Sequence, residues 1–409
     1  MVARLSLPWL FYWTMIFGGY VGERLAHQDT GSSGKIIFAD QLRAVAALSV
    51  MIVHLLGVYW AVREVVATHI FAPVLQGPSA KSLAAISFTY FNFGPFGVSL
   101  FFLISGFVIP FSLAKATPLR FLAARALRIY PTYIACLALS LYAIWLSSRY
   151  WGLPFGWSFT QVLHNALLIG SVTGIESIDM VNWSLAIEIK FYLLACLLAP
   201  WITQGRIAPL VATSLAVAAL VVWVAYLMPP ASNSVDLYAA SVHFNLLVHD
   251  LLFIPFMFVG TIFSYRFRGL ITQRQLLAGV ATLFGIFIAA WPHTVLKDQF
   301  PLVPLNYFYA LCLFAAAYRW RKHFRPIKLV DWFASVSYPL YALHSLIGYA
   351  ALRYLGALGV GYYLAVVLAA LLVLVLAFAV HRIVELPTQD FGKRIMKRSK
   401  SACATLIKV

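Results

Sequence analysis

The chain has 409 residues, of which 62% are hydrophobic, 16% aromatic and 11% charged, with a mean hydropathy of +0.86. An ordinary soluble domain carries about 25% charged residues, so a water-soluble globule is excluded and the chain reads as an all-α polytopic transmembrane bundle. The formal net charge of +17 comes from 30 Lys and Arg against 13 Asp and Glu. A nucleic-acid partner would need that charge on one exposed face, and none is expected, because the positional pattern assigns most of the charge to one side of a bilayer.

Ten apolar stretches can cross a hydrocarbon core roughly 30 Å thick: 42–62, 93–113, 129–147, 185–202, 207–227, 250–265, 276–292, 303–318, 336–354 and 359–380. An eleventh, 7–22, follows Arg4 and reads equally as a leader-like segment, an extra N-terminal helix or an interfacial one. Lys and Arg test this map, because cytoplasmic connections are enriched in them. Segments 114–128, 203–206, 266–275, 319–335 and 381–409 hold 4, 1, 3, 5 and 7, whereas the other side has five in all: Arg63, Lys81, Arg149 and Lys297 in connections and Arg353 at the end of its span. The alternation predicts a cytoplasmic C-terminus. The longest connections, 63–92 and 148–184, then lie outside and are too short for a core of their own. The expected organisation is an N-terminal extension over 1–37, a membrane domain over 38–390 and a basic tail over 391–409. Cys136, Cys196, Cys312 and Cys403 lack C-x-x-C spacing, and no metal is expected.

Ionisable groups inside spans are expensive and stand out as functional candidates. The first span carries Asp40, Arg43 and His54. Eleven residues at 100° each return His54 to within about 20° of Arg43, and about 16 Å deeper. A lone buried histidine is ordinarily a satisfied core residue, but the shared stripe favours function. In 94–110, Gly97, Ser99, Ser105 and Gly106 form small spots that allow close approach of a helix or a ligand chain. Arg125 and Arg128 follow in a basic connection, where two guanidinium forks at i, i+3 could hold a phosphate and a plain topogenic loop is the alternative. Ser184, Glu188 and Tyr192 share a face near the outer end of their span, with Lys190 pointing elsewhere. Glu188 needs a cation or a substrate hydroxyl as partner. Tyr341 and His344 are i, i+3 neighbours in a later span, with orienting or structural roles as reasonable as catalytic ones.

Taken together these segments resemble the acyltransferase-3 family of integral membrane O-acyltransferases, widespread in bacteria. The resemblance rests on an ordered set: Arg43 and His54 with ten residues between them, G-V-S-L-F-F-L-I-S-G-F over 97–107, Arg125 and Arg128 before I-Y-P at 129–131, W-S-L-x-x-E-x-x-F-Y over 183–192, S-Y-P-L-Y-A-L-H over 337–344, and Glu385 with Pro387. It covers about 38–390, in what looks like the stand-alone form, with ten core helices and 7–22 as an addition. It implies acyl transfer, usually of acetyl, from cytoplasmic acyl-CoA to a hydroxyl of a carbohydrate or glycoside at the bacterial inner membrane. No metal is implied, and a homo-oligomer is compatible with it, as is contact with membrane lipid. Under this resemblance His54 is the general base or a transient acyl carrier, since imidazole titrates near neutral pH. Arg43 binds a CoA phosphate or polarises the thioester. Arg125 and Arg128, with Ser105 nearby, hold acetyl-CoA. Glu188 positions the acceptor hydroxyl or supports a histidine, Asp40 orients Arg43, and Tyr341 and His344 are structural or orienting.

Two other functions fit the composition: a proton-coupled transporter or flippase using His54, Glu188 and His344 as a relay, and a structural membrane protein. Three further signals are discounted. His293 and Asp298 have the H-x-x-x-x-D spacing of glycerolipid acyltransferases but form a two-position pattern in a short connection. Gly31 to Lys35 lacks P-loop spacing. Asn182-Trp-Ser would matter only in a glycosylated eukaryotic chain.

Overall fold

The computed structural model describes residues 36–77, 86, 88–227, 250–294 and 296–397. The apolar segment 7–22 lies outside them. Among the described residues extended backbone pairs only in an isolated bridge between Phe88 and Phe91. In hydrocarbon each backbone N–H and C=O must be satisfied internally, which a helix does within one segment. Among the described residues the longer helices are α1 (Ile37–Ala61), α2 (Arg63–His69), α3 (Phe93–Leu113), α4 (Pro118–Trp151), α5 (Phe159–Ala166), α6 (Trp183–Leu197), α7 (Ala208–Leu227), α8 (Ile254–Phe267), α9 (Gln273–Ala290), α10 (Leu302–Arg319), α11 (Lys328–Leu343), α12 (Leu346–Ala357), α13 (Tyr362–Val380) and α14 (Leu386–Lys397). Five helical runs are long and apolar enough to cross a membrane: Ile37–Ala61, Phe93–Leu113, Pro118–Trp151, Gln273–His293 and Tyr362–Ile395. The architecture is an all-α polytopic bundle.

Cross-links at the two ends show that successive long helices alternate in direction. At one end Gln41 Nε2 donates to the Arg325 carbonyl at 2.7 Å, and Arg268 Nη2 to the Thr203 carbonyl at 3.1 Å. This is where the Lys- and Arg-rich connections gather, hereafter the basic end. At the far end the Asn92 amide donates to Asn306 Oδ1 at 2.7 Å, and Arg353 reaches the Pro73 carbonyl while stacking over Trp151.

The helix boundaries depart from the hydropathy map in three places that matter for the site. First, α4 begins at Pro118 rather than near 129, so Arg120, Arg125 and Arg128 sit on a helix and not in a loop. Proline at the first helical turn, followed by Leu-, Ala- and Arg-rich sequence, is a strong helix start that hydropathy overlooks. Second, the stretch 336–354 is two helices. α11 ends at Leu343, Ser345 takes φ −71°, ψ −80°, and α12 begins at Leu346. Third, α1 includes a π turn over His54–Val58, which changes the helical register where His54 sits. The proposed boundary at 390/391 falls within α14, whose Gly392 lies against Ala124 of α4.

The tightest crossing is α3 on α8. A Cβ at Gly106 would land on the Met257 carbonyl, and one at Gly260 on the Leu103 carbonyl oxygen and 2.8 Å from the Phe107 nitrogen. Thr261 Oγ1 donates to the Gly106 carbonyl across the same seam at 3.1 Å. Small residues allow such backbone approach where apolar burial gives no preference for protein over lipid. Gly106→Ala and Gly260→Ala are therefore each expected to cost about 1–3 kcal/mol or more by overpacking. Thermal melting of the detergent-solubilised protein should fall in both, while Gly285→Ala, with nothing within 4 Å of the added carbon, should melt like the wild type.

Candidate functional site

Among the described residues two cavities gather ionisable side chains of the spans. The basic-end chamber is lined by Arg43, Phe101, Phe102, Ser105, Val108, Ile109, Arg125, Arg128, Ile129, Ser184, Leu185, Glu188, Tyr192, Ser337, Tyr338 and Tyr341. Three guanidinium groups face one carboxylate there. Glu188 Oε1 accepts from Ser105 Oγ at 2.6 Å and from Tyr192 Oη at 2.5 Å. Arg125 donates to Ser112 Oγ and stacks over the rings of Phe121 and Tyr192. Arg43 Nη1 is paired with Asp40 Oδ1 at 2.8 Å. The remaining excess of positive charge in a poorly hydrated space favours an anionic occupant.

The far-end chamber is aromatic. His54, Trp183, Phe253, Trp291, Tyr307 and Tyr341 line it, together with the amides Asn92 and Gln299. His54 Nδ1 is 2.6 Å from Tyr349 Oη. The His344 ring stands edge-on to His54, with centroids 4.7 Å apart. His344 Nδ1 meets the carbonyls of Tyr341 at 2.7 Å and Leu340 at 3.3 Å, and carbonyls only accept, so Nδ1 carries the proton. Its Nε2 is buried with no hydrogen-bond partner.

A polar knot from the connection before α6 fixes the far half of the site. The Asp179 carboxylate, 1% exposed, accepts from the amides of Val181 and Asn182 at 3.1 and 2.8 Å and from Tyr133 Oη at 3.0 Å. Burial pushes this carboxyl up from its ordinary range, and the amides pull it back. The turn holds Met180 at φ 59°, left-handed backbone that a side chain rarely adopts. Asn182 Nδ2 donates to Tyr133 Oη and to Asn165 Oδ1. Ser345 Oγ, at the break between α11 and α12, donates to the Asp179 carbonyl at 2.8 Å. The Val181 carbonyl accepts from Tyr341 Oη at 3.1 Å.

This knot explains one correction. The sequence places Glu188 near the outer end, but it opens into the same chamber as Arg43, Arg125 and Arg128. The connection buries Asn165, Asp179 and Asn182, and Glu188, in the second turn of α6, turns into the chamber of the arginines. Lys190 points away, to Asp250 Oδ2 and Ser171 Oγ. Of the small spots on α3, Ser105 faces the chamber. Gly97 packs on Ala46 and Val50, and Gly106 on α8. Glu385 joins no chamber and instead accepts from His381 and Gln389, tying α13 to α14. Among the described residues no His, Cys, Asp or Glu cluster could hold a metal ion.

Five of the six ordered motifs thus converge on two neighbouring cavities that share Tyr341 in their walls, inside one membrane bundle. A family model described as an acyltransferase domain matches residues 36–382. The chain belongs to the acyltransferase-3 family. No curated protein and no solved structure matches it. In this membrane acyltransferase Tyr349 is the site residue that sequence reading missed. It falls five residues beyond His344 in an apolar stretch, and its signal was its polar hydroxyl in a buried position, which needs a partner. Asp179 was also missed, being hidden in a connection.

Replacing Asp179 by alanine leaves two buried amides and the Tyr133 hydroxyl without their acceptor. Asp179→Ala is expected to cost about 1–3 kcal/mol or more, the penalty of buried donors left unsatisfied, read as a lower melting temperature and faster proteolysis of the 165–182 connection. Asp179→Asn, which keeps one acceptor oxygen, should lose less.

Proposed function

We propose that this acyltransferase moves an acyl group, ordinarily acetyl, from acyl-CoA at the basic end to a hydroxyl of a sugar-containing acceptor in the far-end chamber. The reading places the protein in a bacterial inner membrane with the basic end and C-terminus in the cytoplasm, following the Lys and Arg alternation. The observation that carries it is the pairing of chambers: one holds three arginines against one glutamate, the other presents an imidazole among aromatic and amide side chains. The first suits the phosphates of CoA, for which guanidinium forks are matched donors. The second suits a sugar, whose C–H faces lie on aromatic rings while its hydroxyls meet amides.

In the proposed reaction Arg125 and Arg128 hold CoA phosphates, and Arg43, oriented by Asp40, directs the donor inward. Glu188, gripped by Ser105 and Tyr192, serves as counter-charge in the donor chamber, where its surroundings favour this over the acceptor role inferred from sequence. The reaction requires the His54 tautomer that donates Nδ1–H to Tyr349 Oη, 2.6 Å away, because that tautomer leaves the Nε2 lone pair as base. Nε2 takes the acceptor hydroxyl's proton as that oxygen attacks the thioester carbonyl. The C–S bond then breaks, and the proton passes to the departing sulfur. Tyr349 acts here as a positioning residue, in the way a third group fixes the tautomer of a catalytic histidine.

Mass spectrometry of surface polysaccharide and secreted glycosides from wild-type, deletion and His54→Ala strains tests this. A sugar should lose the mass of one acetyl group in both mutants, and no acyl difference anywhere would sink the reading. In isolated membranes His54→Ala should lower turnover by about a hundredfold or more, whereas Arg128→Ala should mainly raise KM for acetyl-CoA. Glycan movement that persists in His54→Ala and ignores acyl-CoA would point to a flippase instead.

A further inference from the structure

Among the described residues only one lines both chambers, Tyr341. It is also among the most firmly held side chains in the site. Its hydroxyl lies 3.1 Å from the Val181 carbonyl and 2.7 Å from Ser184 Oγ, which is itself 3.3 Å from the same carbonyl, so the three groups form one hydrogen-bonded cluster. Val181 belongs to the far chamber and Ser184 to the basic-end chamber, so the hydroxyl is clamped at the boundary between them. The edge of the ring meets Phe101 with centroids 5.5 Å apart, and His344 lies against it at 5.7 Å.

The backbone beneath it is held as well. Tyr341 sits in the last turn of α11, two residues after Pro339 and just before the break whose Ser345 is tied to the Asp179 carbonyl. Both anchors lie in the knot over 179–184. Tyr341 is therefore a fixed partition and not a freely rotating side chain. On its basic-end side the chamber wall turns from charged to apolar, through Phe101, Phe102, Ile129 and Leu185.

We infer that Tyr341 is the specificity-determining residue for acyl size: it admits a two-carbon acyl group to His54 and excludes longer ones. This rests on the proposed transfer from acyl-CoA. A thioester presented from the arginine chamber must bring its carbonyl past the Tyr341 ring to reach an imidazole that lines the other chamber. A chain with further methylene groups needs the volume the clamped ring occupies, and one added methylene in a rigid apolar passage is enough for about 10- to 200-fold discrimination.

The test uses isolated membranes carrying the full-length protein and an equimolar mixture of acetyl-, propionyl- and butyryl-CoA, with acylated glycans identified by the mass each gains. Wild type is expected to give acetyl products almost alone. Tyr341→Ala should raise the butyryl-to-acetyl ratio by about tenfold or more. Tyr341→Phe, which keeps the ring and frees it from Val181 and Ser184, should raise it by a smaller factor. It carries the same prediction if the alanine variant fails to accumulate. An unchanged ratio in an accumulating variant that still transfers acyl groups would overturn the size limit. So would complete loss of transfer in both variants at wild-type melting temperature, which would make Tyr341 part of the chemistry. Failure of the wild type to transfer from any acyl-CoA would instead refute the acyl-transfer reading itself.

Discussion

The buried Asp179 carboxylate is the interaction on which the far half of the site depends. Charge in an apolar slab persists only where donors replace water, and here they come from the backbone of its own turn and from Tyr133 of α4. The consequence is geometric. Once the turn is fixed, the Asp179 carbonyl receives Ser345 and the Val181 carbonyl receives Tyr341, so the break between α11 and α12 and the partition between the chambers share one anchor. The start of α6 is set by the same turn, and Glu188 follows in the second turn of that helix. A connection that hydropathy would assign to the surface therefore organises the interior. Non-helical backbone at that depth is tolerated because protein, not lipid, surrounds it.

Much of the bundle was legible in the sequence because spans in a bilayer are dictated by one physical quantity, apolar length. All ten expected spans fall on helices. The boundaries that failed did so for reasons hydropathy does not weigh. Pro118 starts α4 early through backbone geometry. The Ser345 break is imposed by a tertiary hydrogen bond to a residue 166 positions away. Arg43 and His54 were visible because charge in a span is rare. Tyr349 was not, because a tyrosine in an apolar helix is an ordinary core residue until its hydroxyl is seen 2.6 Å from an imidazole.

The small residues of α3 show how one helix meets two demands. Its glycines take it close to neighbouring backbone, Gly97 against Ala46 of α1 and Gly106 against Met257 of α8. That contact holds α3 between the two helices while Ser105, one residue before Gly106, turns toward the cavity and Glu188. The pattern of small residues thus reads as packing for the glycines and as chamber lining for the serine. Residue type separates the two uses where spacing does not.

Dividing the interior into two chambers also resolves a conflict inherent in the proposed reaction. A CoA head group is highly charged and cannot enter hydrocarbon at tolerable cost, yet transfer to an alcohol needs water kept from the reacting carbonyl, where it would hydrolyse the thioester. One cavity serving both would flood the base or strip the phosphates. Keeping the arginines with Glu188 on one side of Tyr341 and His54 with Tyr349 on the other lets each group have the surroundings it needs, and leaves the thioester as the one part that must span both. The strict separation of charge follows from this: the chamber with the arginines is cationic, and the chamber with the imidazole is lined by rings and neutral amides. In such a design catalysis depends less on any added group than on how firmly the boundary between the chambers is held.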